Sequence, residues 1–238
     1  MLGIRKEGEN TSVKTMITPL QINLQPNCLI VRFPGMFNCL SWAPWNGGEA
    51  SASVVANLQV GLNGSSSGAT PAEDFGLLFQ AHSLIPDETI GLMTAATVSA
   101  FTNRFLFSSG AWVHALVTVG LSNARSVLDE ADVELGHQCR SSGTVNVVVA
   151  TNALPTLAGR IEAIHIASSA KTAAFRDSGV TSRKSYRLAD LTGTDCLVVG
   201  ASGEIEEDHC GLHTVLGEMI GRTVYTSVSQ GIAECRRS

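Results

Sequence analysis

The chain has 238 residues, 44% hydrophobic and only 16% charged, with a formal net charge of −5. Such a composition excludes a disordered chain. The acidic balance, without a long basic run, argues against a protein that tracks nucleic-acid phosphates. The length suits one large domain with an ample core.

Residues 1–20 read as a loosely held leader, and residues 21–238 as one domain. Arg5, Lys6, Glu7 and Glu9 precede no apolar segment of the kind a signal peptide needs. No apolar run approaches the ~20 residues required to cross a bilayer. "NCLIVRF" (27–33) predicts a short strand. "SWAPWNGGEA" (41–50) predicts a turn-rich loop, with Pro44 and the Gly47-Gly48 pair as breakers. In "SVVANLQV", Val54, Ala56, Leu58 and Val60 alternate with Ser53, Val55, Asn57 and Gln59, the period of a strand. "NGSSSGATPAED" (63–74) is a low-complexity surface loop. Pro71, Glu73 and Asp74 then open a helix over "PAEDFGLLFQAHSL". "PDETIGLMTAA" (86–96) reads as a second short helix.

Strands are expected at 97–107, 111–119 and 144–151, the first two joined by a tight "SSGA" turn. The clearest helix is 155–175, with Pro155 at its start and alanine through its body. "DCLVVGAS" (195–202) is a buried strand, and 212–229 a final helix. The elements add up to a single mixed sheet flanked by helices, of α/β or α+β class. The six cysteines, at 28, 39, 139, 196, 210 and 235, contain no C-x-x-C pair. Neither a zinc knuckle nor a disulfide framework is expected, and a reducing cytoplasm is the simplest compartment.

Polar strings bracket the apolar strands. "VTVGLSNAR" runs into Ser122, Asn123 and Arg125; "GTVNVVV" enters through Thr144 and Asn146; "TGTDCLVV" enters through Thr192, Thr194 and Asp195. If 111–119 pairs antiparallel with 144–151, and 144–151 joins 195–200 by a parallel crossover through the long helix, all three strings meet on one edge of the sheet. Such a rim holds a carboxylate for base work or for orienting a histidine, amides that can polarise a carbonyl, and hydroxyls that become nucleophiles beside a base. Capping, turn and loop-backbone roles explain the same residue types equally well. Lys171 falls about 40° from Ala167 and about 20° from Ile164 on a helical wheel, on the apolar side of its helix. It either snorkels to solvent or is aimed at a site. In "GLHTVLGEMIG" (211–221), His213 and Glu218 lie about 140° apart, so they cannot share a metal from one regular helix. His213 remains open to a packing role or to work as a neutral base.

Taken together the strings resemble the adenosylcobinamide amidohydrolase family of corrinoid salvage enzymes. The matching pieces are "LSWAPWNGG" (40–48), "GLMTAA" (91–96), "VTVGLSNAR" (117–125), "GTVNVVV" (143–149), "AKTAAF" (170–175), "TGTDCLVV" (192–199) and "GLHTVLGEMIG" (211–221). The resemblance implies hydrolysis of the amide that joins the corrin side chain to aminopropanol, giving adenosylcobyric acid. Asp195, His213, Asn146 and Asn123 are the expected catalytic residues. Asn46, Gly47, Thr94, Ser122, Arg125, Thr144, Lys171 and Thr194 are expected to meet substrate. No protein-held metal or cofactor is expected, since the cobalt belongs to the substrate. The expected partner is a corrinoid small molecule, with neither nucleic acid nor membrane, and self-association is compatible with this reading. A corrinoid carrier without catalysis, or an amidase for another amide, are the alternatives.

Thiol titration of freshly purified, denatured, unreduced protein should find six free thiols; a lower count would contradict the reducing compartment.

Overall fold

The computed structural model describes residues 19–61, 70–134 and 143–237. Strand β1 is Gln21–Gln25, β2 Cys28–Ser41, β3 Gly48–Gln59 and β4 Thr89–Thr94; helix α1 is Pro71–His82. Then follow β5 Thr102–Ser108, β6 Ala111–Val119, β7 Ala124–Arg125, β8 Val145–Pro155, α2 Leu157–Asp177, β9 Leu191–Thr192, β10 Cys196–Glu207 and α3 Val215–Cys235. Eight strands form one mixed sheet in the order β4-β3-β2-β10-β8-β6-β5, with β1 added to β2; β7 and β9 make a separate small pair. The class is α+β.

Side chains on successive strand residues face opposite ways, and here both faces are apolar. On β8, Val147 and Val149 face α2 and α3, while Val148 faces away; on β10, Leu197 and Val199 differ from Val198 in the same way. The inward set, Val148, Val198 and Leu116, packs with Val55, Ile90 and Leu92 from β3 and β4. In sheet order β3 and β8 are separated by β2 and β10, so the sheet curls until its two halves share a core. Outside, α1 covers one half through Phe75, Leu78 and Phe79, packed on Ile30, Val54 and Ala56. Helices α2 and α3 cover the other half. From one side to the other, the layers are α1, half-sheet, half-sheet, and the α2–α3 pair.

The pairing assumed from sequence is present. β6 is antiparallel to β8, from Val113↔Thr151 to Val119↔Val145, and β8 is parallel to β10, with Cys196↔Asn146 at its start. Several expectations are corrected. The helix expected at 86–96 is a single turn, Pro86–Glu88, followed by strand β4, parallel to β3. Ile90 and Leu92 alternate into the shared core, and burial there favours strand over helix. The strand expected at 97–107 starts at Thr102, after a 3-10 turn at Val98–Ala100. The strand expected at 27–33 runs on to Ser41 through an irregularity between Arg32 and Phe37. Pro155 ends β8, and Thr156 caps α2 by accepting from the Gly159 amide. Helix α3 begins at Val215 and is capped by Thr214, so His213 precedes it. β1 was not anticipated. Residues 1–18 of the expected leader and most of the loop expected at 63–74 lie outside the described residues, as does Cys139; Leu20, the last residue assigned to the leader, is buried in the shared core.

His114 on β6 is fully buried, with Nε2 3.1 Å from Asn103 Oδ1, and burial lowers its pKa to about 4. Its ordinary value is 6.5. A folded-state value below the unfolded one means that the unfolded chain takes up the proton first as pH falls. The contribution is intact above about pH 6.5 and is lost progressively towards pH 4, reaching about 2 kcal/mol at pH 5. Denaturant unfolding should therefore show a smaller stability difference between pH 7 and pH 5 for His114→Gln than for the parent.

Candidate active site

The 192–195 turn sits where β9 gives way to β10, and its shape follows from one carboxylate. Asp195 Oδ1 accepts from the Val145 amide at 3.0 Å and from the Thr192 hydroxyl; Oδ2 accepts from the Thr192 amide at 3.2 Å and from Lys171 Nζ. Lys171 and Asp195 side chains are 4% and 7% exposed, so the pair is shielded from solvent screening. The lysine on the apolar side of α2 is thus aimed into the protein, not snorkelling to solvent. The same turn is fixed from outside by Trp42, whose Nε1 donates to the Asp195 carbonyl at 2.6 Å.

Held this way, Thr194 meets Thr144 hydroxyl to hydroxyl at 2.8 Å and donates to the Gly143 carbonyl at 3.2 Å. Thr94, at the end of β4, contributes an opposing wall, its hydroxyl accepting from the Ala96 amide at 3.0 Å. Between them opens a cleft of about 560 Å³, lined by Trp42, Pro44, Met93, Thr94, Thr144 and the 193–196 turn, among others. Asp195 is the one carboxylate in its described lining. Cys196 also lines it, but burial pushes that thiol up to about 12, too high for a thiolate nucleophile. Among the described residues no group of three or more His, Cys, Asp or Glu side chains is arranged to hold a metal ion.

Of the residues expected from sequence, Asp195, Thr94, Thr144 and Thr194 therefore line one cleft, with Lys171 directly behind. Asn123 and Arg125 flank it in a neighbouring hollow of about 260 Å³ that shares Gly193 with the cleft. Asn123 receives the Arg125 Nε at 3.2 Å and, through its carbonyl, the Gly193 amide at 3.1 Å. A Cβ on Gly193 would come within 2.6 Å of the Asn123 side-chain amide, so a larger residue there would have to push that side chain aside. Arg125 is ion-paired with Asp132. Ser122 lines a third hollow with Ala95 and Arg183.

Other expected residues do different work. Asn46 donates to the carbonyls of Pro86, Asp87 and Thr89 at 3.2–3.3 Å, stapling the 42–47 loop to the start of β4. Gly47 lies against the Ala43 carbonyl, where a Cβ would sit only 2.3 Å away. Asn146 is 1% exposed and faces the shared core instead of the cleft. His213 is exposed in the turn before α3, close to Gly211 and Glu162. Glu162 accepts from the Cys210 amide at 2.6 Å, and this turn follows the far end of β10. At about 3.3 Å per residue, β10 puts His213 on the order of 30 Å from Asp195. The histidine and the aspartate do not share a site.

Two contributors were missed from sequence. Trp42 carries the hydrogen bond to Asp195, and Asn57 binds Asn146; their partners lie 153 and 89 residues away, and no local signal announces either contact.

The adenosylcobinamide amidohydrolase family model matches residues 14–238. An uncharacterized protein of Methanocaldococcus jannaschii is 40% identical over 91 residues, 38% of this chain and 36% of that protein, so the match spans about a third of the relative's length. Among solved structures, the PH0078 protein from Pyrococcus horikoshii OT3 aligns at TM-score 0.44 and 10% identity, over 90% of this chain and 79% of that one. A Burkholderia sp. beta-aminopeptidase aligns at TM-score 0.43 and 11% identity, over 88% and 78%.

Removing one partner of a buried ion pair strands the other charge, at roughly 3–5 kcal/mol. Lys171→Met should therefore destabilise the fold by about 3 kcal/mol in urea unfolding. Lys171→Met/Asp195→Asn should be less destabilised than the sum of the single variants.

Proposed function

The chain belongs to the adenosylcobinamide amidohydrolase family, a family of hydrolases, and from that premise we propose that it hydrolyses the amide between the corrin side chain and aminopropanol in adenosylcobinamide. The observation that carries this reading is the cleft itself: Thr94 of β4, Thr144 just before β8, and Thr194 and Asp195 of the β9–β10 turn line one space of about 560 Å³. A cleft of that size suits the arm bearing the amide. The corrin ring, larger than the cleft, rests at its mouth against Trp42, which is 48% exposed.

In this reading the Thr144–Thr194 hydroxyl pair binds the carbonyl oxygen and the attacking water. Water adds to the carbonyl carbon while Asp195 accepts its proton. The carbon–nitrogen bond then breaks, and the same proton passes to the departing amine, leaving a carboxylic acid on the corrin. Asp195 begins with both oxygens hydrogen-bonded, so accepting the proton requires Thr192 or Lys171 to release one of them. Lys171 keeps the carboxylate in place and its charge offset until then. The cobalt is part of the substrate, and no protein-held cofactor enters the scheme. His213, on the far edge of the sheet, is left out of it.

Mass spectrometry of adenosylcobinamide incubated with the pure protein, with and without chelator, should show adenosylcobyric acid and aminopropanol in both cases. Asp195→Asn should lower turnover by two or more orders of magnitude, whereas His213→Ala should stay near the parent rate. Tight binding of unchanged adenosylcobinamide would instead identify a carrier.

A further inference from the structure

The polar residues nearest the cleft that do not face it form a set of their own. Asn57 on β3, Thr118 on β6 and Asn146 on β8 are 4%, 1% and 1% exposed and point into the core shared by the two half-sheets. Asn57 Nδ2 donates to Thr118 Oγ1 at 3.0 Å. Asn146 Nδ2 donates to Asn57 Oδ1 at 2.8 Å and to the Met93 carbonyl at 2.9 Å. A carbonyl can only accept, so the Met93 contact fixes which end of the Asn146 amide is nitrogen. Its oxygen is then left buried with no partner. Thr118 and Asn146 are direct cross-strand neighbours, and the Thr118 hydroxyl, accepting from Asn57, still has a proton to give. A small cavity of about 10 Å³ lies against Asn57, Thr118, Asn146 and Val148. That is the scale of a single water, and it is bordered by one oxygen without a partner, Asn146 Oδ1, and by one hydroxyl with a proton to give, Thr118.

We propose that one internal water completes a hydrogen-bonded ring, Asn57 to Thr118 to water to Asn146 and back to Asn57, and that this ring sets the width of the cleft. Water accepts from Thr118 and donates to Asn146 Oδ1, which satisfies the orphaned oxygen. The ring joins β3 to β6 and β8 across the curl. Through the Met93 carbonyl it also seizes β4, one residue before Thr94. On the other side Asn146 lies two residues after Thr144. The walls carrying Thr94 and Thr144 are thus set against each other by buried amides instead of by flexible side chains, and Asn57, Thr118 and Asn146 are positioning residues. The cleft's role rests on the function proposed above; the ring does not.

The experiment reads the ring without substrate. In the folded full-length protein, amide hydrogen exchange is followed residue by residue, and water-to-protein Overhauser contacts report a long-lived water at the Asn146 side-chain amide. Thr118→Val keeps the side-chain shape and removes the hydroxyl; Thr118→Ser keeps the hydroxyl. Thr118→Val should abolish the water contact and raise exchange at Met93–Ala96 at least tenfold relative to the centres of β8 and β10, and Thr118→Ser should restore both. A purely structural role would raise exchange throughout or not at all. Should Thr118→Val fail to fold, Asn57→Asp in place of it removes the donor to Thr118 and should give the same local increase. Absence of a long-lived water in the parent, or unchanged relative exchange at 93–96 in the folded variants, would overturn the proposal. Either result would be independent of whether the parent hydrolyses adenosylcobinamide.

Discussion

Burying the Asp195 carboxylate is the constraint on which the cleft depends. A charge that is 93% removed from solvent is tolerated only when it is paired and fully hydrogen-bonded. Four donors meet that demand here, and they come from three elements: the backbone and hydroxyl of Thr192 on β9, the first residue of β8, and the lysine of α2. Each donor is thereby held where it is. The helix cannot slide along the sheet without abandoning the carboxylate, and β8 and β10 cannot shift register without losing the Val145 amide. The hydroxyl pair that faces the cleft inherits this rigidity, because Thr194 and Thr144 lie next to the residues so fixed.

The curl of the sheet supplies the opposite wall. Strands buried on both faces need a covering layer on each, and one half-sheet serves as the inner cover of the other. Polar side chains inside such a core must find partners there. Asn57 and Asn146 do so by bonding to each other across the curl. The arrangement also explains why Asn146, expected to act on substrate, turns away from it. On β8 the residues at even numbers, from Asn146 to Val148 and Ala150, face the inner core, and there the Asn146 amide is taken up by Asn57 and by the Met93 carbonyl.

The β6–β8 pairing, the α2 crossover and the gathering of the 192–195 and 144–146 strings were legible in the sequence, because long apolar strands bounded by turn residues and an alanine-rich helix leave few topologies open. The 86–96 segment was misread because a short apolar run fits helix and strand alike until its burial is known. Lys171 was correctly placed on the buried face, yet its partner could be found only in three dimensions. His213 illustrates the reverse case. Its local surroundings, a glycine before it and a helix after it, are those of many functional histidines, but the length of β10 intervenes between it and the carboxylate. Local pattern cannot express which end of a strand a residue reaches.

The 42–47 loop does more than supply Trp42. Its Trp45 exchanges two backbone hydrogen bonds with Gly91, at 3.3 and 3.1 Å, while the indole ring packs on Phe75 and Phe79 and its Nε1 bonds the Pro86 carbonyl. β4 is the last strand on that side of the sheet, and an outermost strand offers unpaired amides and carbonyls to any other chain. The loop lies over this margin as a short false strand, anchored by an aromatic plug. The covering of that strand margin is therefore tied to a segment that also borders the cleft. Changes that reshape the cleft mouth will tend to uncover a surface onto which further copies of the protein can add, strand by strand.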